Sequence, residues 1–324
     1  MDRILRKIGI DTIDSRDHFF CMTFHPNLDC LRRSIGQVGL LQPIIIREKS
    51  GGAGCQVVCG FKRLTACEQL GLKEIEAFSY QESALGDLEG FHMTLHENLT
   101  TRGLNLIEKS MVIDKLIHQF GVSKEPIARD YLPMLGLQPS LRILGVVCQL
   151  VLLLDEIKRY IVEEKVSLEN AFQFLEFSLE DQAEIGRLVS KLKLGQNKLK
   201  EALTFLREVS LRDGLTVRDL VQGEIEAVTS DITLSKLQKT HRVRRQLREM
   251  RYPQLMELEK EFREKQRGLG LSPGISLNPP PYFEGETFKF EFGFKDVGEF
   301  KAIVSRLMET SERRELREMI DAVP

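Results

Sequence analysis

Apolar residues change their spacing along this chain, and each change marks a different kind of element. Residues 4–13 alternate apolar and polar as a half-buried strand does, and Asp14-Ser15-Arg16-Asp17 then reads as a polar loop. Pro26-Asn27 opens a helix with Leu28, Leu31, Ile35 and Val38 on one face and Gly39 near its end. Residues 43–47, rich in β-branched Ile, predict a strand. A turn at Ser50-Gly51-Gly52-Ala53-Gly54 leads to a second, buried one at Gln56-Val57-Val58. Helical spacing over residues 62–70, Gly71 as a stop and a strand over 74–80 complete a small mixed α/β domain. From Ser83 strands disappear. Leu85, Leu88, Phe91, Leu95 and Leu99 form one helical face. Asn105 reads as a helix cap, residues 106–120 as a helix closed by Gly121, and Ser123 as the next cap. Helical patterns of ordinary bundle character continue to about residue 228. The period of two returns only in Thr287-Phe288-Lys289-Phe290-Glu291-Phe292-Gly293-Phe294, after a short strand at 275–277 and the run Pro279-Pro280-Pro281. Asp296 then caps a helix with Val297, Phe300, Ile303, Val304 and Leu307 apolar.

The expected fold class is therefore α+β in four segments. They are a mixed α/β domain (residues 1–104), an all-helical region (105–230), linker helices (231–268) and a helix-strand-strand-helix module (269–324). That module is too small to bury its phenylalanines alone, so a partner surface, another copy of the chain, is expected.

Composition narrows the function classes. The chain has 324 residues and a formal charge of −2, so any nucleic-acid partner must use a local patch. The richest apolar run, residues 143–154, is too short to span a bilayer and is broken by Gly145 and Gln149. Met1-Asp2-Arg3 does not begin a signal peptide, and the expected location is cytoplasmic. Six cysteines (21, 30, 55, 59, 67, 148) stand without a paired Cys-x-x-Cys and read as buried thiols rather than a zinc set.

One stretch carries candidate chemistry: Val57-Val58-Cys59-Gly60-Phe61-Lys62-Arg63-Leu64-Thr65-Ala66. A strand that stops at Gly and turns into a helix presents unpaired N–H groups where the helix dipole favours an anion. Lys62 and Arg63 add two cations there. The same residues also fit a plain strand–helix turn with surface cations. Further on, Glu97 and Asn98 supply oxygens of the kind magnesium accepts, and Arg102 is a phosphate fork.

Taken together, Leu40-Leu41-Gln42-Pro43-Ile44-Ile45-Ile46-Arg47, Gly60-Phe61-Lys62-Arg63-Leu64-Thr65-Ala66 and Glu97-Asn98-Leu99-Thr100-Thr101-Arg102 with Leu104-Asn105-Leu106-Ile107-Glu108 resemble the ParB partition family. The three boxes in order are more specific than any one. The resemblance implies a ParB/sulfiredoxin-like fold for residues 1–104 and a CTP site with Mg²⁺. Gly60, Phe61, Lys62, Arg63 and Ala66 would form its phosphate turn, with Arg102 on phosphate and Glu97 and Asn98 near the metal. It also implies a nucleoid-associated, homodimeric DNA clamp acting in chromosome or plasmid partition, with a partition ATPase as a further partner. Where the family's box has Glu this chain has Phe61, which leaves at most weak CTPase activity, and the family's first Arg is Lys62.

The family's helix-turn-helix would fall at residues 123–154. Its reading helix, residues 141–154, offers only Arg142 and Gln149 to bases, so a reading helix and a structural core helix both stay open. Residues 235–251 carry Lys236, Lys239, Arg242, Arg244, Arg245, Arg248 and Arg251 against the single acid Glu249. That density predicts a polyanion contact, beside the plainer reading of a solvated helix. Two other functions remain open: a nucleotide-independent DNA-binding regulator, and a phosphotransfer enzyme on the sulfiredoxin-like fold.

Overall fold

The computed structural model describes residues 3–49 and 54–321. The turn expected at Ser50–Ala53 lies outside them. The architecture is α+β: a four-stranded mixed sheet with helices, a helical middle, and a two-stranded antiparallel sheet near the C-terminus. The chain divides into two compact units, Met1–Ser190 with Leu194–Leu203, and Lys191–Lys193 with Thr204–Pro324.

In the first unit the strands β1 (Ile4–Gly9), β2 (Ile44–Glu48), β3 (Cys55–Cys59) and β4 (Glu74–Gln81) take the order β1-β4-β2-β3. β2 runs parallel to β4 and antiparallel to β3, with an irregularity between Ile45 and Ile46. β1 is shorter than the alternation predicts. Ile10–Thr12 turns as a 3-10 helix, and Ile13 returns to the sheet through a parallel bridge to Cys55. α1 (Asp29–Val38) and α2 (Phe61–Gln69) supply Ile35, Leu64, Ala66 and Cys67 to the core with Ile44, Ile46, Val57, Ile75 and Ala77. Val38, expected on that face, is 60% exposed, because the helix ends there at Gly39 with φ +79°. α3 (Asp87–Thr101) lies on β3, burying Phe91, Thr94 and Leu95. Every residue of β3 is buried, which suits its apolar character, and the one polar residue, Gln56, is bonded to Arg47 and Asp17.

α4 (Leu106–Asp114) begins at a capping box between Asn105 and Glu108 and winds on as a π-helical turn, Lys115–Gln119. Ser123 precedes the next helical segment as expected, but its side chain makes no capping hydrogen bond. Ser140 caps Leu141–Val147, which tightens to a 3-10 turn over Cys148–Leu152 instead of continuing as one helix.

In the second unit the Lys236–Arg251 helix starts at a capping box, Ser235 with Gln238, and buries Thr240, Val243 and Leu247. The C-terminal strands are β5 (Ile275–Asn278) and β6 (Lys289–Phe292), the latter half the length its alternation predicts. Their core contains Phe262, Leu269, Leu277, Phe283, Leu316 and Met319. Leu316 and Met319 belong to a final helix, Arg314–Asp321, that the sequence reading did not include. By contrast the Asp296-capped helix Val297–Ser311 buries only Thr310.

Candidate nucleotide-binding cleft

Gly60 begins the site. Its φ of +100° turns the end of β3 straight into α2. A Cβ there would lie 2.8 Å from Ile44 Cγ2, so both conformation and space call for glycine. Phe61, Lys62 and Arg63 follow as the first helical turn, whose N–H groups have no partner within the helix. The Phe61 ring packs against the sheet core. The Arg63 side chain turns back to the segment before β2, donating from Nη1 to the carbonyls of Gln42 (3.2 Å) and Pro43 (3.1 Å). Its Nη2 pairs with the Glu97 carboxylate of α3.

Next to Glu97 on α3, Asn98 donates to the Thr94 carbonyl and accepts from Arg102 Nε at 2.8 Å. Arg102 is anchored further: Nη1 to Glu108 Oε2 (2.7 Å) and the Gly103 carbonyl (3.1 Å), Nη2 to Thr23 Oγ1 (3.3 Å). Both arginines, Arg63 read as a cation of the phosphate turn and Arg102 as a phosphate fork, thus already rest on protein acceptors. Lys62 differs. Among the described residues its amine has no hydrogen-bond or ion-pair partner, and burial, reinforced by nearby Arg102, lowers its pKa from the ordinary lysine value.

These groups, from stretches far apart in the chain, line one cleft of about 170 Å³. Gly60, Phe61, Lys62, Arg63, Glu97, Asn98 and Arg102 surround it with Thr23 and Gln42. Ala66 does not line it; it is buried in the sheet core. A second cavity of about 360 Å³ adjoins, sharing Thr23, Phe61 and Lys62 and reaching His18, Cys21 and His25. The first space alone is small for a nucleotide, whereas the two together fall within the usual range of roughly 300–1,000 Å³ for ligand pockets.

The residues present fit a metal–triphosphate in part. Glu97 is one carboxylate, and magnesium on a nucleotide commonly needs only one or two, the phosphates supplying the rest. Asn98 would have to give up Arg102 to serve as a ligand. No group of three His, Cys, Asp or Glu capable of holding a metal by itself occurs among the described residues. Cys59, beside the turn, is no nucleophile. Burial, with Glu97 nearby, pushes its thiol up to about 12, and it contacts Thr94 Oγ1 at 3.6 Å.

Residues 2–99 match the ParB N-terminal domain family. That domain is ParB-like. A probable chromosome-partitioning protein ParB of Vibrio cholerae is 28% identical over 212 residues, 64% of this chain and 69% of that protein. A Mycobacterium leprae probable chromosome-partitioning protein ParB is 36% identical over 101 residues, 30% of this chain and 29% of the relative. Among solved structures, a C-terminally truncated ParB of Caulobacter crescentus complexed with CTP-γ-S is 23% identical. It covers 57% of this chain and 97% of its own, at a TM-score of 0.26, too loose an overlay to support statements about this site.

The remaining candidates lie elsewhere. Arg142 is exposed in the first turn of Leu141–Val147. The Lys236–Arg251 cations face more acids than Glu249 alone. Arg245 pairs with Glu249 at 2.7 Å and Arg248 with Glu259 at 2.7 Å. Arg251 pairs with Glu208 and lies over the Tyr252 ring, and Lys239 donates to the Thr229 carbonyl at 2.7 Å. Arg242 is exposed and lowers the pKa of Asp231, though less than the Thr233 hydrogen bonds do. Lys236 and Arg244 also have partners within the chain. This is a mixed ionic surface, which charge counting along one helix does not reveal. Sequence reasoning also missed the loop wall at Met22 and Thr23. Its one signal was the dense apolar run Phe19-Phe20-Cys21-Met22-Thr23-Phe24.

Proposed function

We propose that this chain is a partition-type DNA-binding protein that binds CTP with Mg²⁺ in the Gly60–Arg102 cleft and acts as a homodimeric clamp on DNA. The observation that carries the reading is the convergence of three separated stretches on one cationic, Gly-turned cleft. Phosphates would meet the first-turn N–H groups of α2 with Lys62, while Arg63 and Arg102 exchange protein acceptors for phosphate oxygens. When bound, Mg²⁺ would neutralise phosphate charge, with Glu97 as its protein oxygen. Phe61 brings no carboxylate to the turn, so binding without efficient hydrolysis is expected.

Dimerisation is supported by the apolar face left open in the second unit. Phe294 and Val297 are 54% and 68% exposed, and Phe290 and Phe300 are exposed beside them. DNA would be held through phosphates by Arg142 and by Lys236, Lys239, Arg242, Arg244, Arg245, Arg248 and Arg251. A partition ATPase as a further partner, and residence on the nucleoid, follow from the family resemblance. Among the described residues no helix is long and apolar enough to cross a membrane.

Calorimetric titration of CTP, ATP and GTP with Mg²⁺, with and without duplex DNA, tests the reading. CTP binding strengthened by DNA is the expected result. DNA binding indifferent to every nucleotide would make the protein a nucleotide-independent regulator.

A further inference from the structure

Glu108 is a carboxylate only 2% exposed, yet its part in capping α4 accounts for only one of its contacts. Its Oε2 accepts from the Asn105 N–H at 3.1 Å, which is the capping bond, and also from Arg102 Nη1 at 2.7 Å. Its Oε1 accepts from the Phe24 N–H at 3.2 Å, in the loop that forms the cleft wall. The same loop is fastened to the π-helical turn after α4, where Lys115 Nζ donates to the His18 and Phe19 carbonyls, both at 2.8 Å. One side chain therefore joins a cleft arginine, the cleft wall and the first turn of the helical region.

We propose that Glu108 is a built-in competitor for the anion at Arg102, and that this competition passes occupancy of the cleft to the start of α4. It is a positioning residue, and the proposal rests on the triphosphate reading above. A phosphate oxygen and the Glu108 carboxylate compete for the same guanidinium donors, and both make charge-assisted bonds of similar geometry. Around the cleft stand three cations, Lys62, Arg63 and Arg102, and two of them are already neutralised by Glu97 and Glu108. An arriving phosphate that draws Arg102 away leaves a buried carboxylate without its cation, an arrangement that folded proteins avoid. Glu108 then turns outward, loosening the Phe24 and Asn105 amides together. The cleft wall and the N-terminus of α4 are released in one step.

The test uses the full chain and Glu108→Gln, which keeps an oxygen for the Asn105 amide, as glutamine does in a capping box. Calorimetry with CTP·Mg²⁺ and with inorganic triphosphate should show affinity rising roughly tenfold in the variant, the scale of one charge-assisted hydrogen bond. A second measurement needs no substitution. Hydrogen exchange in peptides spanning residues 22–26 and 103–109 should quicken when CTP·Mg²⁺ is added to the unaltered protein. Exchange that is unchanged or slower overturns the proposal, as does equal or weaker binding by a folded Glu108→Gln. If the unaltered chain binds no triphosphate at all, the nucleotide reading fails and this coupling with it.

Discussion

The two sheets of this protein solve the same problem in opposite ways. The N-terminal sheet buries β3 completely under α1, α2 and α3, and the two arginines of the adjoining cleft, Arg63 and Arg102, find acceptors on neighbouring elements. The C-terminal pair, β5 and β6, buries Leu277 and leans Phe288 on Phe262, but it leaves Phe290 and Phe294 exposed beside Val297 and Phe300. Phe300 touches Phe292 and Phe294 at ring separations of 6.3 and 5.0 Å, so the open face is an ordered apolar surface. Two strands and a few helices are too small to cover eight aromatic-bearing positions from within. The first sheet is covered within the chain, whereas the second keeps an apolar face open among the described residues.

The sharpest way to break that contrast is to charge the open face. Val297→Asp with Phe300→Asp should raise the dimer dissociation constant at least a hundredfold, about 3 kcal/mol or more for paired hot-spot residues. Sedimentation velocity reads the outcome, and an unaltered protein that is already monomeric removes the comparison. On the N-terminal side, Arg63→Ala should weaken triphosphate binding by about 1.5–3 kcal/mol, the scale of a charge-assisted contact. Unchanged affinity by calorimetry would mean that Arg63 serves only Glu97 and the Gln42 and Pro43 carbonyls. Gly60→Ala should cost about 2 kcal/mol in denaturant unfolding, because a side chain is placed at φ +100°. A neutral result would show that the turn at Ile44 is looser than its contacts.

Smaller effects sharpen the picture. Replacing Arg242, Arg244, Arg245 and Arg248 with Ala should flatten the dependence of log K for duplex DNA on log salt by roughly 2, since each phosphate contact contributes about −0.9. The full loss for four contacts is not expected, because Arg245 and Arg248 already serve Glu249 and Glu259. An unchanged slope would assign the helix to solvent and leave DNA to Arg142. The smallest effect concerns Cys59. Its pKa is raised from 9.0 to about 12, so its contribution to stability is full below pH 9 and is lost as pH climbs towards 12. At pH 8 iodoacetamide should label exposed Cys30 and spare Cys59 until the protein unfolds; early labelling of Cys59 would show that β3 opens locally.

Much of this was legible in one dimension. The Ile-rich and Val-Val runs, the Gly60 break and the Asn105 cap are local devices. Strand, turn and helix termini depend on a few adjacent residues, so β2, β3, α2 and the start of α4 came out within a residue or two. The final helix Arg314–Asp321 was missed. Its apolar residues Leu316 and Met319 are sparse among charges and become intelligible only against Phe262 and Leu277.

The sequence by itself determined which residue types could meet a phosphate, and in what order the three boxes run. Tertiary structure alone decided what each of them holds in the meantime: Arg63 on Glu97 and two carbonyls, Arg102 on Glu108 and Thr23, Lys62 on nothing charged. It also spread the Lys236–Arg251 cations among Glu208, Glu249 and Glu259, and joined the cleft to α4 through Glu108. The physical reason is range. Turns and caps are settled by bonds between neighbours in the chain, whereas a charged side chain takes whatever acceptor folding brings within about 3 Å, and that partner can lie tens of residues away.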